Sequence, residues 1–441
     1  MERLTDLVAR HDAIGVRDWL DDRPPHEIAD ELARLEPVGA GWAFRLLDKD
    51  RALSAFEELD PVDQQELLGG LRDDAAVALV ERMDPDDRAR MLGEAPAKVA
   101  TRMLAGLSSG EQAMTATLLG YPDGSVGREM SPETVAVPVQ ATVTEALAVV
   151  RRKGADAETV YTLPVTDAGR TVLGTVSLRE LVLARPQARV ADLVDTGVPR
   201  VQATDPAEYA ARLMGEANLL ALLVVDSEDR LLGLLTIDDA VEILEEADTE
   251  DAARQSGATP WSGHYMYVRV TKLARTRALW LAVLLLAAVL TVNVLQLFED
   301  SLEQVTALAL FIPLLVGTGG NAGAQAASAA VRAIAVGEVR LADLPAVVWR
   351  ELRVGLLLGA LLGGLGLVVA SVLVGVQIAG VVAVTLVAIC GWAATVGATM
   401  PLLARRLGID PAVVSAPLVT TLVDATGLLI YFSVARLLLG V

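Results

Sequence analysis

The segment APLVTTLVDATGLLIYFSVARLLLGV (416–441) is apolar over a length that crosses a bilayer, and it carries one acidic residue, Asp424. A carboxylate near the bilayer centre costs about 2.5–3.5 kcal/mol on insertion scales. Such a residue usually lies on the path of an ion or a proton, and the alternative is an aspartate that hydrogen-bonds between helices or is protonated and has no role in transport. The segment therefore predicts a membrane domain and makes Asp424 its first candidate functional residue.

Four other apolar segments precede this one, so five α-helical membrane spans are predicted within a domain at residues 277–441. Their bounds are 277–297, 305–330, 347–375, 379–403 and 412–438. Basic residues concentrate before the first span, between the second and third, and between the fourth and fifth. The positive-inside tendency predicts a multi-pass protein of the inner or plasma membrane with cytoplasmic N-terminal domains and its C-terminus outside. Arg436, near the outer end, is an exception.

Five helices rarely enclose a pore in one copy, and we expect a homodimer with Asp424 of each copy near the two-fold axis. Span three has a row of glycines that favours close helix packing. Span two contains PLLVGTGGNAGAQAAS (313–328), where proline and clustered glycine are expected to break or loosen the helix. Asn321 and Gln325 would share one face of this segment. A polar pore element and an interhelical packing element are both open interpretations.

The chain has 441 residues and a formal net charge of −20, and the negative excess lies before residue 277. Such a surface disfavours nucleic acid and attracts cations. The single cysteine, Cys390, excludes a disulfide framework and a thiolate metal cluster. The polar N-terminus lacks the pattern of a secretory signal, and we expect the membrane signals to be internal.

Residues 1–124 are rich in leucine and alanine at helical spacing and are predicted to form a helical N domain. Glu36-Pro37, Asp60-Pro61 and Asp84-Pro85 recur at an interval of 24 residues. An acidic residue followed by proline is a helix start signal, because proline is tolerated at the first helical position. Since 24 residues accommodate two short helices, the repeat predicts a small α-helical solenoid.

Residues 125–192 and 193–236 contain a second duplication. LPVTDAGRTVLGTVSLREL (163–181) returns as LLVVDSEDRLLGLLTIDDA (222–240), and each copy has the pattern strand, turn, strand, helix. The arrangement resembles a tandem pair of CBS domains, an α/β module that often binds adenine nucleotides. By that resemblance Thr236 and Asp238 are candidate nucleotide contacts, and ATP is a candidate ligand.

The segment TIDDAVEILEEADTEDAARQ (236–255) begins an acidic connecting helix, which we assign to residues 237–276. Asp239, Glu242 and Glu246 fall on one helical face, where like charges repel and destabilise the helix. A divalent cation that prefers oxygen ligands would remove this repulsion. A solvated linker helix is the alternative. The position between the CBS-like units and the first span favours a gate.

The whole arrangement resembles the MgtE family of magnesium channels and transporters. The motifs that carry the resemblance are PLLVGTGGNAGAQAAS (313–328) and LGIDPAVVSAPLVTTLVDATGLLIYFSVARLLL (407–439). The resemblance implies a homodimer with one central pore, in which Asp424 binds a largely hydrated Mg²⁺ as the transported ion. This agrees with the chemistry of Mg²⁺, which takes octahedral oxygen ligands and loses water reluctantly.

The resemblance also implies a negative-feedback gate, in which intracellular Mg²⁺ bridges the acidic helix to the N domain, the CBS pair and the pore domain. Ions that bind the closed state better shift the population towards it. By matching motifs, the residues assigned to regulatory Mg²⁺ are Asp239, Glu250, Asp251, Asp410, Glu208 and Asp86. Five residues depart from the family pattern and bear on the strength of gating more than on transport: Arg90, Asn218, Ala247, Ala416 and Thr420.

Other functions compete with Mg²⁺-selective uptake. A broader divalent-cation transporter (Co²⁺, Mn²⁺ or Ni²⁺) or an exchanger shares the same features. A non-transporting magnesium sensor would need only the N-terminal half, and a buried Asp424 argues against it. A chloride channel with CBS domains predicts more spans. A CBS-linked metalloprotease needs an HExxH-type motif, and no two histidines have that spacing, so we expect no enzyme activity.

Overall fold

The computed structural model describes residues 3–259, 268, 270–414 and 416–440. These residues form two compact units, one that runs to Ala247 and includes Val268, and a second that begins at Asp248. The predicted connecting segment 237–276 includes residues 260–267 and 269, which lie outside the described residues. Each unit is considered by itself below.

The N-terminal part of the first unit is an array of short α-helices, as the 24-residue period predicts. Pro37, Pro61 and Pro85 each stand at the first turn of a helix, where proline needs no N–H partner. In the described residues the array comprises α1 to α10, which are Leu4–Ala9, Ala13–Asp21, Pro25–Leu32, Pro37–Phe44, Lys49–Glu57, Pro61–Gly69, Asp73–Val80, Pro85–Glu94, Ala97–Gly106 and Ser109–Leu119.

Helix α8 is held in the array by Arg88, whose side chain is fully buried. Its guanidinium donates to the carbonyl oxygens of Glu81 and Met83 at 3.2 Å each, and to the hydroxyl of Thr115 at 2.8 Å. It also forms an ion pair with Glu111. A buried charge with this many partners is well compensated, and it ties α8 to α10 and to the end of α7.

The two α/β units fold alike, as the duplication predicts. In each three-stranded sheet the first strand pairs in parallel with the second, and the second pairs antiparallel with the third. Both sheets shift register once, at the last two residues of the central strand. The elements are α11 Val126–Glu129, β1 Val137–Pro138, α12 Val143–Lys153, β2 Thr162–Thr166, β3 Val172–Ser177, α13 Leu178–Leu183, β4 Arg200–Gln202, α14 Ala207–Ala217, β5 Ala221–Val225 and β6 Leu231–Thr236.

The two α/β units also pair with each other through equivalent turns. The N–H of Val172 donates to the carbonyl of Asp229 at 2.9 Å, and the N–H of Leu231 donates to the carbonyl of Arg170 at 3.1 Å. Arg170 and Asp229 occupy corresponding positions of the repeat, as do Val172 and Leu231, because they stand at the same offset from β3 and β6. The two hydrogen bonds are therefore related by the internal symmetry of the pair.

Helix α15 (Ile237–Gln255) follows β6 directly and is called the acidic helix below. Five later helices among the described residues are long and apolar enough to cross a membrane, as predicted. The second and third of them are preceded by 3-10 turns, and α16 begins before the predicted residue 277. The helices of this unit are α16 Val270–Leu297, α17 Glu299–Gln304, α18 Ile312–Ala335, α19 Leu344–Val374, α20 Val376–Arg406 and α21 Ala416–Leu439.

Helices α19 and α20 form a tight pair joined only by Gly375, whose φ of +96° favours glycine. The glycines of α19 lie along the contact. A Cβ added at Gly359 would lie 2.6 Å from the Cα of Val387, and one at Gly363 would lie 2.8 Å from the carbonyl oxygen of Ala383. The small residues of span three therefore let two backbones approach within one chain.

Arg436, the exception to the positive-inside pattern, has partners at its end of the bundle. Its guanidinium lies 4.6 Å from the centre of the Phe298 ring, and its Nε donates to the hydroxyl of Ser301 at 3.3 Å. The Phe298 ring stacks on Phe432 at 4.9 Å. An aromatic face and a hydroxyl stabilise a cation at this depth. The residue thus has a packing role, and the predicted membrane orientation stays a prediction.

Candidate functional site

Asp424 lies in the N-terminal half of α21, where this helix crosses α18. Its Oδ1 is buried and has no hydrogen-bond partner among the described residues. A Cβ added at Gly320 of α18 would lie 3.4 Å from that oxygen and 2.7 Å from Cγ2 of Thr420. Glycine at position 320 therefore lets the two helices approach closely, while one carboxylate oxygen keeps its capacity to accept.

Helix α18 runs without interruption from Ile312 to Ala335, so the expectation that its proline and glycines break it is wrong. Pro313 stands in the first turn, where no intrahelical N–H bond is lost. The glycines instead make room for neighbouring helices. A Cβ at Gly323 would lie 3.1 Å from Cγ1 of Val419 on α21 and 3.4 Å from the carbonyl oxygen of Ala393 on α20.

The polar residues of α18 lie on a different face from these packed glycines. Asn321, Gln325 and Ser328 are all exposed in the single chain. At intervals of four and three residues they form one stripe along the helix. The glycines of this motif thus pack against neighbouring helices, whereas its polar side chains are exposed on another face of α18 in the single chain.

Arg254 joins the C-terminal half of the acidic helix to the segment before α21. Its Nη1 forms an ion pair with Oδ2 of Asp410, and its Nη2 forms one with Oε1 of Glu250, one helical turn earlier. The Oδ1 of Asp410 accepts the backbone N–H of Ala412 at 2.9 Å. Two of the predicted regulatory carboxylates are brought together here, and a guanidinium lies between them.

The chain leaves the acidic helix at Gly257, which packs between α16 and α21. Gly257 has a φ of +71°, and a Cβ there would lie 2.5 Å from Cδ1 of Trp280 and 3.5 Å from Cγ of Pro417. The indole Nε1 of Trp280 is buried with no hydrogen-bond partner among the described residues. This close approach places the end of the acidic helix beside the start of the helix that carries Asp424.

A second group of carboxylates lies in the first unit, where α8 approaches the start of the acidic helix. We call Glu57, Asp84, Asp86, Asp87 and Asp239 the acidic cluster. One oxygen each of Glu57, Asp84 and Asp87 lies within 4.8 Å of the others. Asp86 is 7% exposed, and its Oδ1 has no hydrogen-bond partner in the described part of the chain. Such a set of oxygen donors fits a hard divalent cation that keeps part of its water.

The carboxyl groups of the acidic cluster have raised pKa values. Burial raises the pKa of Asp87 to about 8, and the charge of Asp239 adds to the increase. Burial also raises the pKa of Glu57 to about 7 and that of Asp239 to about 6. The pKa of Asp86 rises as well, first through burial and then through Asp239. The protein therefore leaves these negative charges poorly compensated.

Arg90 joins α8 to the acidic helix beside the acidic cluster. Both of its terminal nitrogens pair with the carboxylate of Glu242, and Nη2 lies 3.7 Å from Glu246. Glu242 and Glu246 are one turn apart, so the repulsion predicted between them is relieved by an arginine. Arg90 thus supplies a fixed cation between α8 and the acidic helix.

The start of the acidic helix repeats an arrangement found in the first α/β unit. The hydroxyl of Thr236 donates to Oδ2 of Asp239, just as the hydroxyl of Ser177 donates to Oε2 of Glu180 at 2.8 Å in the first α/β unit. Since β3 ends at Ser177 and β6 ends at Thr236, Glu180 corresponds to Asp239. Asp238, the candidate nucleotide contact named with Thr236, precedes Asp239 by one residue and is exposed.

Glu208 and Asp251 are the remaining predicted regulatory residues. Glu208 accepts from Arg212 of its own helix at 2.7 Å. Asp251 directly follows Glu250 on the acidic helix. Asn218, noted as a departure, ends α14 with a φ of +53°, a left-handed conformation that asparagine tolerates well. The structure thus brings Asp86 near Asp239, and Glu250 near Asp410, while Glu208 has an arginine partner.

Sequence reasoning missed Arg254 and the grouping of Glu57 with Asp84 and Asp87. The spacing of Glu250 and Arg254 does predict an intrahelical pair, because residues four apart are neighbours on a helix. The contact of Arg254 with Asp410, which is 156 residues away, has no local signal. The meeting of Glu57 on α5 with the start of α8 likewise depends on how the helices of the array stack.

Three family models match the chain in the order of its parts. The model described as the MgtE intracellular N domain matches residues 23–124, and the CBS domain model matches residues 124–186 and 190–246. The model described as MgtE, a divalent cation transporter, matches residues 312–434, which contain α18, α19, α20 and most of α21. These matches confirm the predicted order of N domain, CBS pair and membrane domain.

The chain is also similar to named proteins. The magnesium transporter MgtE of Thermus thermophilus is 43% identical over 329 residues, which cover 73% of this chain and 72% of that protein. The magnesium transporter MgtE of Enterococcus faecalis is 32% identical over 321 residues, which cover 73% and 70%. A crystal structure of the cytosolic domain of the Mg²⁺ channel MgtE in complex with ATP matches 54% of this chain and 98% of that chain, at 32% identity and a TM-score of 0.51.

The family description is that of a transporter, which confirms the expectation that the chain is not an enzyme. The identity to these relatives extends over most of both chains, and family models match the N domain, the CBS pair and the membrane helices. The chain therefore belongs to the MgtE family of divalent cation transporters.

Proposed function

We propose that this protein is a Mg²⁺-selective channel or transporter that takes up Mg²⁺ and closes when cytoplasmic Mg²⁺ is high. The observation that carries the proposal is the carboxylate of Asp424 on a membrane-spanning helix, because one of its oxygens is buried and has no hydrogen-bond partner among the described residues. Mg²⁺ retains several waters and needs only one or two carboxylates. Relatives from two organisms are named magnesium transporters, which supports Mg²⁺ as the transported ion.

The pore is proposed to form between two copies of the chain. One copy leaves Asn321, Gln325 and Ser328 exposed on a membrane-spanning helix. Polar side chains at this depth are stabilised by a partner helix or by a water-filled cavity. In a homodimer the two stripes would line one aqueous path, with an Asp424 from each copy as the selecting carboxylates.

The acidic cluster is proposed to hold regulatory Mg²⁺ on the cytoplasmic side. Its oxygens are hard ligands, and its pKa values are raised by burial and by mutual repulsion. One oxygen of Asp86 accepts no hydrogen bond from the part of the chain that the structure describes. Asp239 belongs to the acidic helix, whereas Asp86 and Asp87 belong to α8. The charge state of the cluster therefore acts on the contact between the N domain and the acidic helix. Glu208 and Asp251 stay candidate ligands.

The CBS pair is proposed to bind ATP, because the cytosolic MgtE domain that this chain resembles is in complex with ATP. Thr236 and Asp238 are the candidate contacts in the second unit. We also propose that both soluble domains are cytoplasmic and that the C-terminus lies outside, as the distribution of basic residues predicts. The broader family description, divalent cation transporter, favours tests with Co²⁺, Mn²⁺ and Ni²⁺ as competitors.

The test is Mg²⁺ uptake into vesicles that contain the wild type or Asp424→Ala, with internal Mg²⁺ held low or high. We expect uptake by the wild type that falls at high internal Mg²⁺, and no uptake by Asp424→Ala at either level. Size-exclusion chromatography should show the same oligomer for both proteins. Normal uptake by Asp424→Ala would reject the carboxylate, and uptake indifferent to internal Mg²⁺ would reject the feedback gate.

A further inference from the structure

Glu250 and Asp410, two carboxylates assigned by motif to regulatory Mg²⁺, share the guanidinium of Arg254 in this structure. The remaining oxygen of Asp410 accepts the N–H of Ala412 at 2.9 Å. Both oxygens of Asp410 are therefore engaged. A positive charge between the two carboxylates would also repel a second cation. The donor set does not fit Mg²⁺ in this arrangement.

We propose that Arg254 is a resident cation that takes the place of a regulatory ion at this point. It would hold the end of the acidic helix at the segment leading into α21 whether or not Mg²⁺ is present. The inference rests on the proposed function, in which the pore closes when cytoplasmic Mg²⁺ is high, and on the gate role that the sequence predicts for the acidic helix. Because the guanidinium is part of the chain, its local concentration does not vary with cytoplasmic Mg²⁺.

The geometry suits arginine in particular. The guanidinium is planar, always charged, and offers separate nitrogens to two acceptors, whereas a lysine ammonium is a single point charge. Glu250 precedes Arg254 by one turn and orients its side chain, which leaves Nη1 for Asp410. Gly257, in the next turn, packs on Trp280 and Pro417 and seats the helix end.

The ion pair of Arg254 with Asp410 is also weak enough to break and form again reversibly, as a gate requires. The side chains of Arg254 and Asp410 are each 35% exposed, so water screens the pair. Partly exposed ion pairs contribute modestly, which keeps the closed contact reversible. Gating would then combine two contacts. The contact at Arg254 would be independent of Mg²⁺, and the contact at the acidic cluster would depend on it.

Hydrogen exchange of the intact protein tests the proposal without any transport assay. The peptide that covers residues 248–257 is followed by mass spectrometry in EDTA and in millimolar Mg²⁺. We expect wild-type exchange to be the same in both. In EDTA this peptide of Arg254→Gln should exchange about five- to tenfold faster, because the ion pairs of Arg254 with Glu250 and Asp410 are lost. Mg²⁺ should restore protection in this variant, because the freed carboxylates can bind the ion.

Matched variants separate docking from helix stability. Asp410→Asn keeps the intrahelical pair of Arg254 with Glu250, and it should still speed exchange in EDTA. Arg254→Lys should lie between the wild type and Arg254→Gln. Arg406→Gln removes an exposed charge at the end of α20 and should match the wild type. Wild-type protection that requires Mg²⁺, or Asp410→Asn that exchanges like the wild type, would overturn the proposal.

Uptake measurements then separate this inference from the proposed function. In Arg254→Gln the ratio of uptake at low to high internal Mg²⁺ should rise severalfold, because a contact independent of Mg²⁺ has become dependent on it. An unchanged ratio would overturn the role of Arg254 in gating. No Mg²⁺ uptake by any protein would reject the transport proposal, while the exchange result would still decide whether Arg254 holds the helix.

Discussion

Gly320 and Asp424 face each other where α18 crosses α21, and a Cβ at Gly320 would lie 3.4 Å from Oδ1 of Asp424. The two residues belong to motifs that are far apart in the sequence. Their contact means that the glycines of α18 set the space around the carboxylate. Any side chain at position 320 must displace Thr420 or Asp424.

Gly320→Ala should therefore impair both packing and transport. The new Cβ would lie 2.7 Å from Cγ2 of Thr420, closer than such contacts allow, so α18 or α21 must shift. Overpacking of this kind destabilises by about 1–3 kcal/mol. We expect a lower thermal unfolding temperature and a Mg²⁺ uptake rate reduced by about tenfold or more, since binding sites tolerate little displacement. Gly364→Ala on α19 is the control, because no atom lies within 4 Å of its Cβ position. Equal uptake by the two variants would contradict the packing role of Gly320.

Arg90→Gln should weaken the contact between α8 and the acidic helix. Arg90 is largely buried and pairs with Glu242 and Glu246, so its loss leaves two carboxylates one turn apart without their cation. The expected loss of stability is about 1–2 kcal/mol, measured by thermal unfolding of the purified protein in EDTA. Arg82→Gln is the control, because its pair with Asp50 is exposed and should contribute less. Identical unfolding temperatures for the two variants would argue against a bridge at Arg90.

Stabilisation by Mg²⁺ should depend on pH in a defined direction. The pKa values of Asp239, Glu57 and Asp87 are raised to about 6, 7 and 8. Raised values mean that the folded state binds protons more tightly than the unfolded state. The stability these groups contribute is present below about pH 4 and is lost as pH rises through 6 to 8. Mg²⁺ should offset that loss.

The unfolding temperature should therefore rise more with Mg²⁺ at about pH 8 than at about pH 5, because protonated carboxyls do not bind the ion. Asp87→Asn should reduce this difference. The exposed Asp74→Asn serves as the comparison, because its side chain pairs only at 3.5 Å with Arg72. A Mg²⁺ effect that is larger at low pH would contradict regulatory binding at the acidic cluster.

Gly257→Ala should weaken the packing of the end of the acidic helix against Trp280 and Pro417. The substitution places a Cβ at a φ of +71° and 2.5 Å from Cδ1 of Trp280. The backbone strain alone costs about 1–2 kcal/mol. Gly337→Ala carries the same strain, with a φ of +74° and no neighbour within 4 Å, so the difference between the variants isolates the Trp280 contact. We expect Gly257→Ala alone to raise uptake at high internal Mg²⁺. If both variants close normally, the contact has no part in the gate.

Local signals predicted much of this fold. Pro37, Pro61 and Pro85 start helices because proline is compatible with that one position, and each span is visible as an apolar run. The expected break in α18 failed because Pro313 falls in the first turn and because tight packing around Gly319 and Gly323 stabilises a helix that glycine would weaken in isolation.

Whether a site could be predicted depended on how far apart its residues lie in the sequence. Asp424 could be identified alone, because a single acid in an apolar span is unusual. The partner of Asp410 could not, since Arg254 lies 156 residues away in the sequence. The roles of Arg90 and Asn218, noted from the sequence only as departures, became clear from an ion pair and a left-handed helix end.

We propose above that the Asp424 carboxylate binds Mg²⁺ in the pore and is required for its passage. Mg²⁺ uptake into vesicles that contain Asp424→Asn is the direct test. This change removes the charge and keeps the shape, so the crossing of α18 and α21 should stay intact. We expect Mg²⁺ uptake at background level, with a thermal unfolding temperature equal to or above that of the wild type. Uptake at the wild-type rate by a folded Asp424→Asn protein would contradict the proposal.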